Sequence, residues 1–152
     1  MSVYDVVVHP TDGSVPADHA LARAVDVAET TDAALHVLYV VPTPGLPPMT
    51  TPGRVSGDLA DVGEAVVEES ASRARTAGLD DVTTAVVEGR IHESIRRYAA
   101  EVDADLVVAG THGREGVERY LLGSVAERLL RTSDVPVMVV PAAAGDTVWT
   151  ND

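Results

Sequence analysis

Ala104-Asp105-Leu106-Val107-Val108-Ala109-Gly110 is the stretch that decides the fold. After one acid the run is apolar without alternation, and it ends in glycine followed by polar residues. A strand with one face in water alternates apolar and polar side chains, whereas a strand covered on both faces does not. Asp5-Val6-Val7-Val8 and Pro136-Val137-Met138-Val139-Val140 read the same way. Strands of this kind belong to parallel sheets with helices packed above and below.

Outward from this run, strand and helix patterns alternate. Val3 to His9 reads as a first strand stopped by Pro10, and Ala17, Ala20, Leu21, Ala24 and Ala28 fall at helical spacing over residues 16–30. Ala33 to Val41 is a second strand ending at Pro42. Residues 42–57 hold five Pro and three Gly, which predicts a long loop. A helix follows with Leu59, Val62, Gly63, Val66, Val67, Ser70, Ala71 and Ala74 on one stripe, and Gly78 stands where a C-terminal cap belongs. Val82 to Glu88 is a third strand. Ile91, Ile95, Tyr98, Ala99 and Val102 make a short helix, and Leu106 to Gly110 a fourth strand. A last helix ends near Thr132, and Val135 to Val140 is a fifth strand. The expected fold is a single-domain α/β, Rossmann-like, doubly wound five-stranded parallel sheet with helices on both faces. It occupies residues 1–141, ahead of a loose tail at 142–152 that carries Trp149, the one Trp.

Composition narrows the chemistry. The chain has 152 residues, enough for one domain, and 45% of them are hydrophobic. There is no cysteine, hence no disulfide framework and no cysteine nucleophile or cysteine zinc site. Lysine is absent too, which excludes a Walker A lysine and Schiff-base chemistry. A formal charge of −13 repels phosphate backbones and argues against nucleic acid. No stretch approaches the eighteen or so apolar residues of a membrane span, and the first ten residues carry no positive charge of a signal peptide. A cytoplasmic protein is expected.

Ligands of doubly wound sheets bind beyond the carboxyl ends of the strands, where the winding reverses. Two polar, glycine-bearing loops fall there: His9-Pro10-Thr11-Asp12-Gly13-Ser14, and the segment from Gly110 onward. The second carries the spacing Gly110-x2-Gly113-x9-Gly123-Ser124. Glycine lets backbone amides approach an anion closely. Ser124-Val125-Ala126-Glu127 reads as a capping box, and with Ser124 as N-cap the amides of Val125 to Glu127 become a phosphate seat. Arg114 is the cation inside the motif, and His112 stands to touch phosphate or shape the turn. In the competing reading, Leu121, Leu122, Val125, Ala126, Leu129 and Leu130 form one continuous helix that swallows Gly123 and Ser124, and no donors are free. His9 and His36 read as core or edge histidines, Asp12 as an Asx-turn residue or the cap of the first helix, and His92-Glu93 lacks the second His of a zinc site.

The same residues resemble the universal stress protein family over nearly all of 1–141. The resemblance rests on Asp5 through Pro10-Thr11-Asp12, on His36-Val37, on Asp103 through Gly113, on Gly123-Ser124-Val125, and on Val135 through Val140. The glycine–serine spacing resembles the family's ATP-binding branch. The resemblance implies strand order 3-2-1-4-5. It also implies ATP; beside Arg114, a divalent ion such as Mg2+ or Mn2+ bound through the phosphates is a second source of positive charge, with no metal ligand from protein side chains. It places Asp12 at the ribose and adenine end, with Pro10 and Thr11 shaping that turn. Val37 would lie against adenine, Gly110 and Gly113 along ribose and phosphates, and Gly123, Ser124 and Val125 would donate to the phosphates. Ala126 stands where related ATP binders often carry Thr or Ser, which removes one hydroxyl contact. The family also implies a homodimer through strand 137–140, an apolar run that an unpaired edge should avoid. The function so implied is a nucleotide-dependent dimeric switch in stress response, read by an unidentified protein partner and with at most slow ATP hydrolysis. Two alternatives stand beside it: a nucleotide-free interaction module of the same fold, and an adenylyl-transferring enzyme, since Thr111-His112-Gly113 resembles part of a nucleotidylyltransferase HxGH motif.

Acids outnumber bases 24 to 11, and aromatics are 3%. That balance suits a high-salt cytoplasm in which counterions screen self-repulsion, although a GC-rich mesophile would produce it too. Salt adaptation predicts a melting temperature that climbs with potassium chloride from dilute buffer to molar concentrations. A melting temperature equal in dilute buffer and in molar salt contradicts it.

Overall fold

The computed structural model describes residues 3–42, 52–111 and 123–141, with 52–58 as backbone alone. The elements run β1 Val6–Pro10, α1 Val15–Thr31, β2 Ala34–Pro42, α2 Pro52–Thr76, β3 Val82–Gly89, α3 Ile91–Glu101, β4 Leu106–Gly110, α4 Ser124–Thr132 and β5 Val137–Val140. The five strands form one parallel sheet in the order β3-β2-β1-β4-β5.

The unbroken apolar runs are explained by what lies on each face. In β1, Val7 joins a cluster with Leu21, Ala24 and Val67 from α1 and α2, while its neighbour Val8 joins a second cluster with Ile95, Ala99 and Leu129 from α3 and α4. In β4, Leu106 and Val108 face the first layer and Val107 and Ala109 the second. Both faces of β1 and β4 are therefore covered by helices, which is why their runs do not alternate between apolar and polar residues. The outer strands β3 and β5 are only half-buried over most of their length.

Glycine is required where the layers come closest. A Cβ on Gly110, the last residue of β4, would lie 2.9 Å from the Pro16 carbonyl oxygen. The amino end of α1 therefore rests directly on the exit of β4. A Cβ on Gly63 would lie 2.6 Å from the Tyr39 ring, so α2 sits against β2 without a spacer. Gly78 follows α2 with φ of +117°, as its position after the apolar stripe predicts.

Some boundaries differ from the sequence reading. β1 begins at Val6, and Val3, 77% exposed, precedes the sheet. α2 begins at Pro52, inside the stretch that reads as loop, because proline needs no amide donor in a first helical turn. Val62 belongs to the periodic stripe yet is 44% exposed. β5 begins at Val137, since Val135 is held in a side-chain turn, with its amide donating to Ser133 Oγ at 3.1 Å and its carbonyl accepting from it at 2.7 Å. The tail at 142–152, with Trp149, lies outside the described residues.

Candidate functional site

The site is prepared by the way β1 and β4 meet. At their amino ends Asp105 Oδ2 accepts from the amides of Asp5 (2.7 Å) and Val6 (3.0 Å), and the Asp105 amide donates to the Val6 carbonyl at 2.8 Å. The register then pairs Val7 with Leu106 and Val8 with Val107, and pairing goes no further along β4. On its other side β1 stays paired with β2 up to Pro10 and Leu38, and the Thr11 amide donates to the Leu38 carbonyl at 2.8 Å. Pro10 has no amide proton with which to extend a ladder. The two central strands are thus clamped at one end and released at the other, at the winding reversal where open α/β sheets take their ligands.

His9 spans the parting. It has no exposed surface, and its ring donates from Nδ1 to the Val108 carbonyl at 2.9 Å. A carbonyl only accepts, so the proton is on Nδ1 and Nε2 carries a lone pair. Among the described residues Nε2 has no partner, an unmet buried acceptor costing about 1–3 kcal/mol. Burial lowers the His9 pKa from 6.5 to about 4, against smaller opposing effects of the Val108 hydrogen bond and the Asp12 charge. The sequence reading of a satisfied core histidine holds for one nitrogen and not for the other. His36 is satisfied: its Nδ1 lies 2.8 Å from the Tyr98 hydroxyl, with the two rings edge-on.

Beyond Pro10 the chain turns on its own side chains. Thr11 Oγ1 accepts from the Gly13 amide and Asp12 Oδ1 from the Ser14 amide, both at 3.0 Å. Asp12 is therefore an Asx-turn residue whatever else it contacts. Gly13 has φ of +80°. Ser14 then caps α1, accepting from the Ala17 amide at 3.3 Å. The amino end of α1 is occupied by its own residue.

α4 is built differently. Its N-cap is Gly123, with an extended backbone at φ −70°, ψ 162°, and among the described residues no side chain caps its first turn. This corrects the sequence reading: Ser124 is the first helical residue and not the cap, so the capping box does not form. The Glu127 amide is also not free, because it donates to the Gly123 carbonyl at 3.0 Å. The unpartnered amides among the described residues are instead those of Ser124, Val125 and Ala126. The alternative of one unbroken helix through Gly123 is excluded by the extended conformation of that residue.

Backbone bonds lock this helix end to the sheet. The Gly123 amide donates to the Thr111 carbonyl at 2.5 Å, and the Thr111 amide to the Val140 carbonyl at 3.2 Å. Pro10, Thr11 and Asp12 thus flank the β4 exit on the side of β1 and α1, and Gly123, Ser124 and Val125 flank it on the side of β5. Gly110 lies between them, its glycine already demanded by Pro16. Val37, beside His9 in the register, is wholly buried in the layer shared with α1 and α2. His112, Gly113 and Arg114 lie outside the described residues.

This architecture can be set beside known proteins. The model of the Universal stress protein family matches residues 4–141. The chain belongs to the universal stress protein family. A universal stress protein of Methanocaldococcus jannaschii is 36% identical over 142 residues, spanning 91% of this chain and 83% of that relative. Among solved structures, a universal stress protein in complex with cAMP is similar at a TM-score of 0.76 and 30% identity, covering 93% of this chain and all of that one. The structure of hypothetical protein MJ0577 is similar at a TM-score of 0.81 and 25% identity, covering 90% of this chain and 95% of that one. The family fold has the strand order found here. Among the described residues no helix is long and apolar enough to cross a membrane.

The expectation that the Gly123 amide donates to phosphate meets a correction, since that amide is taken by the Thr111 carbonyl; the role of His9 goes unanticipated, and its signal is its place just before Pro10 at the end of a buried strand. That role has a pH signature. The unfolded chain takes up a proton on His9 near pH 6.5 and the folded protein only near pH 4. Stability therefore falls as pH drops through this window, by up to about 3 kcal/mol. Urea melts of the wild type and of His9→Gln at pH 7 and pH 4.5 should show the wild type losing more stability by most of that amount. Parallel losses contradict it.

Proposed function

We propose that this chain binds an adenine nucleotide, ATP, at the parting of β1 and β4. The observation that carries the reading is the start of α4, where three successive amides without partners among the described residues stand at the positive end of a helix. An acidic chain of net charge −13 holds a polyanion only through local donors of this kind, through arginine or through a metal. An N-cap is usually Ser, Thr, Asn or Asp, whose oxygen would use up those amides; glycine leaves them open at a cost to the helix of only a few tenths of a kcal/mol. The similarity at 30% identity to a universal stress protein complexed with cAMP supports a nucleotide ligand.

In this reading Ser124, Val125 and Ala126 hold the phosphates by their amides, and Gly113 and Arg114 close the motif. Asp12 meets the ribose, Pro10 and Thr11 fix its approach, His112 shapes the phosphate loop, and Val37 lies under the base. Ala126 contributes an amide but no hydroxyl. Mg2+ or Mn2+ would ride on the phosphates, neutralising charge in an acidic body. Two copies would pair through β5, an edge strand of the sheet with no charge in its four residues. Nucleotide occupancy would then be read by a partner as a change of state of the dimer.

The site can be tested without knowing the pathway. Mass spectrometry of the supernatant from denatured, freshly purified protein should find ATP near equal stoichiometry. cAMP in its place would redefine the ligand, and an empty supernatant with no binding of either on titration would leave a nucleotide-free module. Gly123→Asp isolates the phosphate seat. Its backbone angles suit any side chain, and its carboxylate would cap the very amides proposed for phosphate. The variant should fold at least as stably as wild type and lose ATP binding at least a hundredfold. Unchanged affinity would misplace the seat.

A further inference from the structure

On the sheet face opposite α1 and α2, a groove of about 400 Å3 runs between α3 and the turn from α4 to β5. Glu93, Arg96, Arg97, Ser133, Asp134 and Val135 are among its lining residues. Its volume lies in the range of small-molecule sites. It does not overlap the parting of β1 and β4, so a ligand in this groove is independent of the nucleotide reading.

The groove brings two adjacent arginines together with an acid. The chain has more than twice as many acids as arginines, and Arg23, Arg73, Arg90 and Arg131 each meet a carboxylate at 2.7–3.9 Å. Arg96 and Arg97, adjacent on α3, meet none among the described residues, nor do Arg75 and Arg128; Arg96 differs from these in that its Nε is shielded from solvent without a hydrogen-bond partner among the described residues. A charged donor taken out of water and left unmet is disfavoured. Asp134 lines the same groove and makes no ion pair among the described residues, and Glu93 points to Arg90 at 3.9 Å instead. Opposite charges that share a groove without touching leave a gap between them. The carbonyl end of α4, capped at Ser133, adds partial negative charge on the Asp134 side. Ala99, Ala100 and Val135 give the gap an apolar wall.

We propose that this groove binds a small bipolar molecule, its carboxylate on Arg96 and Arg97 and its ammonium group towards Asp134 and the end of α4. The wall accepts a short aliphatic spacer between the two charges. The class is that of amino-carboxylate metabolites, held by fork-shaped guanidinium donors at one end and by a carboxylate at the other.

Three probes differing only in their ends decide this: 5-aminovalerate, valerate and pentylamine. Each is titrated to tens of millimolar into uniformly 15N-labelled protein at constant ionic strength, following the backbone amides of Ala100 and Val135. 5-Aminovalerate should give saturable shifts at both amides and bind at least threefold more tightly than valerate. Asp134→Asn should erase that difference, and the double variant Arg96→Gln, Arg97→Gln should lose saturation with every carboxylate. Circular dichroism melts confirm that both variants fold. Valerate or pentylamine binding as tightly as 5-aminovalerate, or no saturation with any probe, overturns the proposal.

Discussion

The carboxylate of Asp105 gathers the amides of Asp5 and Val6 and so fastens β1 to β4 at one end only. After two residue pairs the ladder stops at Val8 and Val107, and Pro10, two residues further along β1, has no amide with which to resume it. A parallel sheet can open a crevice at its centre only where neighbouring strands lead their connections to opposite faces. Here the opening is enforced by chemistry as well as by topology. His9 keeps the Val108 carbonyl from being stranded, and does so as a neutral ring because its burial excludes the proton.

The mouth of that opening is lined by two helix starts of contrasting design. Ser14 closes the start of α1 with its own hydroxyl, while Gly123 has no side chain with which to close the start of α4. The first makes a rigid shoulder that presses Pro16 onto Gly110. The second leaves three amides without partners among the described residues. In a body this acidic, an anion is attracted by local dipoles over a few ångströms and repelled by the whole at longer range. Backbone amides keep their partial positive charge however acidic the surface becomes, so the proposed phosphate seat is compatible with the composition.

Much of this is legible in the residues. The unbroken runs at Val6–Val8 and Leu106–Ala109 require two dry layers and hence a parallel sheet, and the clusters on the two faces bear that out. The stop of α4 at Thr132 and the turn at Gly78 follow from spacing alone. What escapes a sequence reading is governed by tertiary contact or by one-residue offsets. Gly110 reads as a phosphate glycine, yet its missing Cβ is already demanded by Pro16, a neighbour about a hundred residues away in sequence. Ser124 has the composition of a cap, but Gly123 takes that position because its amide is bound by Thr111. Pro52 looks like loop punctuation beside its glycines, and it opens a helix instead.

The central claim is that the amides of Ser124, Val125 and Ala126 receive the phosphates. Proton–nitrogen correlation spectra with inorganic tripolyphosphate, adenosine and ATP address it directly. The account predicts that tripolyphosphate and ATP both move these three amide resonances downfield and slow their exchange with solvent, while adenosine leaves them in place and perturbs residues near Asp12. Shifts confined to arginine-bearing surfaces, with the α4 amides unmoved at saturating ATP, would contradict it.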